Sequence, residues 1–577
     1  MVNTSLAKAG FVMLAVLGAA GTGWGADNNY QGPLNGNWQV GPNWSLGVPA
    51  VGQNVRIVNN AMQPLTVTYN GIGLATLDQL LIDSVNGGAR ATLQHLDPAF
   101  TLNTAAEIIG ASGVGEHDQF LGTVSVVGTL TLGQNADSYG TYVMGTVTGS
   151  PQLTTNGLIV GDSGTGQFTQ YNGFNQGVGG ALTIGRQPGI LSSYTLGIQG
   201  ATGSPYPKLK YTGGDIVGDG GMGALIQYSG THESYGLALA AKINSKGWAT
   251  LAGGTLHMLA GIEQVGGGGI GRFLQTGGEN DGNIVVGNAT DHDQNCTDLE
   301  PDDSVNSLYD LKGGILNGNV TVDNAIFRYV GGTLNGNTNM IEGKLVTSGT
   351  AGTVVTFHGD VTISNKSCVE VKGGDPAQPR ATVIITGKVN HDGIWYSDPA
   401  DNYLHTVEAG SSAAFIGGVG DRFFIEKDFL SASTAATTWN TTSAELHFIG
   451  GGLHHLDVNG IDLGIITTGG VDNFGWGVLE LAAGDSLVLQ NPSSANLHPA
   501  LYVDELILDG GIGSLADLSG SGIVLYYNGN DPANAYLNEQ SYILGGTGGL
   551  VVTPSPEPAT LSLLALGGLA VLRRRRR

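Results

Sequence analysis

Between about residues 122 and 352 the chain alternates apolar and polar positions in runs of four or five, and each run stops at glycine. One pattern is a large apolar residue, a second two places on, then a glycine pair. It reads Phe273-Leu-Gln-Thr-Gly-Gly, Tyr309-Asp-Leu-Lys-Gly-Gly and Phe327-Arg-Tyr-Val-Gly-Gly. Weaker copies begin at Phe168, Leu209, Leu225 and Ala249, while Tyr142 and Tyr194 open segments that keep its first half. An apolar-x-apolar-Gly tetrad interleaves with it, in Leu130-Thr-Leu-Gly133, Leu158-Ile-Val-Gly161, Leu182-Thr-Ile-Gly185 and Ile284-Val-Val-Gly287. Residues i and i+2 of a strand share a face, and glycine supplies the positive φ of a corner, so the runs read as short strands that turn. Tyr142, Phe168 and Tyr194 are evenly spaced, and Leu225, Ala249 and Phe273 repeat at nearly the same interval. Helical periodicity is nearly missing from this region. Two or three strands in each stretch of about 25 residues predict a right-handed parallel β-solenoid, whose coils stack at about 4.8 Å. Phe327 and Tyr329 then face inward and Arg328 outward.

The flanks are also strand-like, so the fold class is all-β. In residues 27–121 the segment from Asn37-Trp38 to Asn43-Trp44 and on to Asn54-Val-Arg-Ile57 reads as a cap followed by first coils. In residues 353–553 alternation continues in Ala381-Thr-Val-Ile-Ile-Thr386, Ser486-Leu-Val-Leu489 and Leu501-Tyr-Val-Asp-Glu-Leu-Ile-Leu508, but the repeat fades. Irregular coils and a β-sandwich both fit that region.

The two ends describe export. Lys8, the apolar run from Phe11 to Ala20 and the small residues up to Ala26 have the layout of a signal peptide over residues 1–26. At the other end, Pro556-Glu557-Pro558 precedes an apolar run at 559–572 and then Arg573, Arg574, Arg575, Arg576 and Arg577. Fourteen residues make a helix of about 21 Å, shorter than a bilayer core of about 30 Å, so it spans as a short transmembrane helix with thinning or snorkelling flanks. The arginines hold its end on the cytoplasmic side. Residues 554–577 resemble the PEP-CTERM sorting signal of exported bacterial proteins. That resemblance implies recognition of Pro556, Glu557 and Pro558 by an inner-membrane exosortase and delivery to the envelope, cell surface or extracellular matrix. The glycine-bounded strands of 122–352 resemble the repeats of autotransporter-like passenger regions, a likeness that carries no catalytic motif.

Composition narrows the function classes. The chain has 97 Gly and 12% charged residues, with 47 Asp+Glu against 23 Lys+Arg for a net charge of −24. Apolar content of 41% argues against disorder, and no Gly-X-Y period is present. An acidic chain repels phosphate backbones, so no nucleic-acid partner is expected. Loss of Lys8 and the five terminal arginines takes the mature form to about −30, a charge that discourages edge-to-edge association.

Candidate chemistry is sparse. Gly266-Gly-Gly-Gly-Ile-Gly271 fits a dinucleotide fingerprint by composition alone, without a βαβ context. Thr231-His232-Glu233 lacks the second histidine of a zincin, and Gly417-Gly-Val-Gly-Asp421 reads as a turn. His447, His454, His455 and Asp457 lie close together in sequence, but alternation splits them between two faces and favours solvated strand positions. In the interruption between Phe273 and Tyr309, Asp291, Asp293, Asn295 and Asp302 have part of the spacing of a calcium loop. Cys296 stands there where a turn glycine is usual, and a bridge from Cys296 to Cys368 would pin the loop. No cofactor is expected: a solvated acidic loop is the preferred reading of these residues, and calcium is the alternative. The expected function is an exported, non-enzymatic structural or adhesive surface protein, with exopolysaccharide or envelope proteins as partners. A polysaccharide-active β-helix enzyme is the alternative, since parallel β-helices also host lyases and glycosidases.

Overall fold

The computed structural model describes residues 25–553 apart from 72–75, 147–148, 190, 201–205, 288–306, 349–351, 374–379 and 467. Each short strand ends at a corner, and the chain returns to lie beside itself one coil later. Every pairing between named strands is parallel, except that Tyr542–Ile543 runs antiparallel to Gly549–Thr553. The result is an all-β, β-solenoid-like coil with three faces.

One face is built from the tetrads. Glu107–Ile109, the end of Thr123–Leu132, the end of Gln152–Val160, Leu182–Ile184, Asp215–Val217, Leu237–Leu239 and Glu263–Val265 pair in that order. The second face runs through Val114–Gln119, Tyr139–Met144, Thr165–Gln170, Leu191–Leu196, Met222–Gln227 and Lys246–Leu251. Here Tyr142 pairs with Phe168 and Phe168 with Tyr194, as their even spacing predicts. Their rings stack at 4.8 and 4.6 Å, close to the strand stride, so coil stacking and ring stacking agree. Phe327 and Tyr329 are buried, while Arg328 points out and bridges to Asp310.

The third face corrects one reading of the repeat. Leu209 does not align with Phe168; it pairs with Asn175 and His232 on the strands Phe174–Gly177 and Thr231–Ser234. The pattern apolar-x-apolar-Gly-Gly therefore marks a corner on more than one face. The coil length is also only a mean. Phe273 pairs with Tyr309 across a long step, but Tyr309 pairs with Phe327 and Phe327 with Leu345 across steps much shorter than the average coil.

At the corners, buried glutamines add a second hydrogen bond to carbonyls that already accept a backbone N–H from the next coil. Gln119 Nε2 donates to Gly122 O (3.1 Å) and Gln152 O (2.8 Å); Gln170 Nε2 donates to Gly173 O (2.9 Å) and Lys208 O (2.9 Å). Gln227 does the same for Gly230 and Thr255. Met144, Leu196 and Leu251 take the intervening places, so the interior alternates amide and apolar on successive coils.

At the N-terminal end Trp38 and Trp44 pack edge to face at 4.9 Å, and Trp44 Nε1 donates to Trp38 O (2.8 Å). One hydrophobic core runs from there to Leu550. The parallel ladder crosses residue 353 and continues through 553: Thr338–Ser348 pairs with Val361–Ile363, and Val524–Asn528 pairs with Gly549–Thr553. Among the described residues no helix is long and apolar enough to cross a membrane. The expected transmembrane helix at 559–572 lies outside them, as does most of the expected signal peptide.

Candidate functional site

Most of the candidate site residues fall outside the described segments: Asp291, Asp293, Asn295, Cys296 and Asp302, and all of the tail from Pro556 to Arg577. Cys368 is buried on Ser367–Lys372, in register between Lys344 and Ile394. The histidine group is dispersed, as alternation requires, but two of its members are not solvated. His454 faces the core 3.5 Å from Asp485, with its Nδ1–H donating to Lys427 O (2.7 Å). His447 is buried between Glu445 (2.9 Å) and Glu480 (3.0 Å), whereas the half-buried His455 pairs with Asp428 (2.8 Å). Asp421 is a corner cap that accepts from Ser397 Oγ, Ala400 N and Gly418 N.

The sequence reading missed the charges inside the coil. Glu107, Asp215 and Glu263 stand in the ladder position that Leu130, Leu158, Leu182 and Leu237 occupy on other coils. Each is the first residue of a tetrad (Glu107-Ile-Ile-Gly110, Asp215-Ile-Val-Gly218, Glu263-Gln-Val-Gly266), so an acid in that place is the signal that could have found them. Glu107 Oε1 meets His117 Nδ1 at 2.6 Å, and Asp215 Oδ2 meets His232 Nε2 at 2.8 Å; both pairs are buried. Glu263 accepts from Asn280 Nδ2 (3.0 Å), which also reaches Tyr309 OH (3.1 Å), and Tyr309 donates to Gln275 Oε1 (2.6 Å). Shut away from solvent, these groups can hold protons but cannot touch a polymer passing outside.

Burial pushes the Glu263 carboxyl up to about 8, against the pull of the Asn280 hydrogen bond. The ordinary value is 4.5, so between those two pH values the folded chain keeps a proton that the unfolded chain has lost. Stability therefore falls as pH rises through that window, by up to about 1.4 kcal/mol per pH unit. Glu263→Gln should match the wild type near the acid end and exceed it at the alkaline end. Denaturation midpoints at the two ends check this; a difference that does not change with pH would contradict it.

On the outer surface two places concentrate polar chemistry. Glu116 and Asp118 stand on the opposite side of Val114–Gln119 from the inward His117, and both are themselves buried among neighbouring side chains. Burial, and then the Asp118 charge, push Glu116 up to about 7, even though Arg90 bridges to it. Gln94 Nε2 donates to Asp118 Oδ2 (3.1 Å). Further along, Tyr403, Phe424 and His447 stack outward at 4.4 and 4.6 Å, so their faces are used on one another. Arg422 lies over Phe424 and grips both oxygens of Asp401 at 2.7 and 2.6 Å.

Next to this ladder the loop 459–475 folds over the outer side of Ala500–Leu508 and Val524–Asn528. Asn473 fixes it through Ile461 N (2.8 Å), Ile461 O (2.9 Å) and Gly469 O (2.8 Å). Tyr502 OH donates to Gly464 O (3.0 Å) and accepts from Leu463 N (2.8 Å), and Tyr526 OH donates to Asp462 Oδ1 (2.8 Å). Loop and strands enclose a cleft of about 250 Å³ whose lining includes Thr442, Ser443, Ile466, Val471, Asp504 and Asn528. Burial and nearby Asp531 raise the Asp504 carboxyl above its ordinary value. Among the described residues no group of three or more His, Cys, Asp or Glu is placed to hold a metal ion. No protein-family model, no curated protein and no solved structure matches the chain.

Proposed function

We propose that the chain is an exported, non-catalytic structural or adhesive protein of the cell envelope or extracellular matrix, built as a right-handed β-solenoid. Its C-terminal tail passes through the inner membrane as a single-pass intermediate and is read there by an exosortase at Pro556, Glu557 and Pro558, with Arg573 to Arg577 held on the cytoplasmic side. The observation that carries this reading is the ladder of the tetrad face. Twenty strands among the described residues follow one another on it by parallel pairing, from Asp27–Asn29 to Leu518–Gly520. At about 4.8 Å per step that is a rod about 90 Å long. A rod of this kind offers extended surface to exopolysaccharide or envelope proteins, and its acidic charge keeps it soluble.

The alternative, a polysaccharide-active enzyme, draws on one observation: burial and the neighbouring Asp118 raise the Glu116 carboxyl to about 7, as in the general acids of acid–base cleavage. A panel of polysaccharides offered to the purified protein separates the two readings. Saturable binding without turnover, unchanged in Glu116→Gln, is the expected result. Sustained product release that Glu116→Gln abolishes would replace the structural reading by the enzymatic one.

A further inference from the structure

The far end of the body combines two features that no role described so far uses. The first is the loop that covers Tyr502 and Tyr526. Ile461, Leu463, Ile465, Ile466 and Val471 are 41–58% exposed there, although Asn473, Tyr502 and Tyr526 hold the loop in place through six hydrogen bonds. Aliphatic side chains held out to water on a pinned loop form a surface made to be covered. The second is charge. After Lys427 no Lys or Arg occurs until Arg573, while residues 428–553 contain 13 Asp and Glu. That end attracts cations and repels an anionic lipid surface.

One segment of this same chain is both apolar and cationic. Residues 559–572 are aliphatic or small apart from Thr560 and Ser562, and Arg573 to Arg577 follow. The body also ends beside the loop: Thr553 pairs with Asn528, which lines the cleft together with Ile466 and Val471. Residues 554–558 lead from there to Ala559. Extended, they reach about 17 Å, enough to bring the apolar run onto the loop.

We propose that the last coils of the body hold the chain's own C-terminal segment before it enters a membrane. The aliphatic residues of 559–572 lie on Ile461, Leu463, Ile465, Ile466 and Val471, and the arginines face the acidic end, which lacks Lys and Arg. The body thereby shields in water the segment that is apolar enough to aggregate, and it yields that segment to a bilayer that covers it better. This goes beyond the sorting role of the tail and does not depend on which enzyme reads it.

The test uses the full-length chain with a benzophenone side chain in place of Ile465, irradiated in buffer without lipid. Cross-links within one chain to residues 559–572 are expected, and their yield should fall from low to high salt. Leu463→Asp combined with Ile466→Asp should cut the yield at least about tenfold, because each lost aliphatic contact weakens docking severalfold. An unchanged melting temperature shows that this variant is folded. Cross-links only between chains, none to 559–572, or a yield indifferent to the two aspartates would overturn the proposal. Deleting the tail tests delivery separately, so the two ideas fail independently.

Discussion

Replacing His232 by alanine is expected to cost about 3–5 kcal/mol of folding stability, whereas replacing Asp215 and His232 together by leucine should leave the protein at least as stable as before. The single change leaves the Asp215 carboxyl buried and removes the partner that stood 2.8 Å from it. A buried charge without a partner pays desolvation with no Coulombic return. The double change inserts what the neighbouring coils already have. Leu182 and Leu237 flank Asp215 in its ladder, and Leu209 and Leu256 flank His232. Chemical denaturation of the wild type and the two variants reads the result. A double variant less stable than the wild type would show that the pair contributes something that leucine packing cannot.

The second large effect concerns glycine that faces inward. Gly140 pairs with Gly115 on one side and Gly166 on the other, so three coils in succession lack a side chain at this place. A Cβ on Gly140 would lie 2.1 Å from Ile109 O, at the end of one strand, and 2.5 Å from Gly133 N, in the corner after another, and these two backbone atoms are hydrogen-bonded to each other. Those atoms belong to ladders and cannot rotate away. Gly140→Val should therefore destabilise by about 3 kcal/mol or more, at the upper end of what overpacking costs. Gly513 is the control: it has open space around its Cβ, and Gly513→Ala should change little. Equal effects at the two positions, read from melting temperatures, would contradict the close approach at the corner.

The difference between these glycines also shows what is legible in one dimension. The column Tyr142, Phe168, Tyr194 can be read from spacing, because equal coil lengths keep one residue above another. Once the coils shorten, as between Tyr309 and Phe327, the period no longer indicates register. Leu209 falls on the wrong face in a purely periodic reading for a related reason: a corner glycine pair looks alike wherever it falls. The pairs Glu107 with His117 and Asp215 with His232 stay hidden because their members stand on different faces, brought together only by coil closure. An isolated acid or histidine in an alternating strand reads as solvated until its inward position is known. His454 shows this directly, since its alternation is legible and its burial is not. The loop 459–475 and its cleft join residues 39 and 64 positions apart, through Tyr502 and Tyr526. No local pattern carries that information.

The tail calls for the most direct measurement, because delivery of the coil to the outside of the cell is the claim on which the structural role depends. Deleting residues 556–577 and following the protein by cell fractionation and surface labelling tests it. The full-length chain should appear processed in the envelope or outside the cell, and the deleted form should lose both processing and surface delivery. Unchanged delivery and processing without Pro556, Glu557, Pro558 and the five arginines would contradict the account.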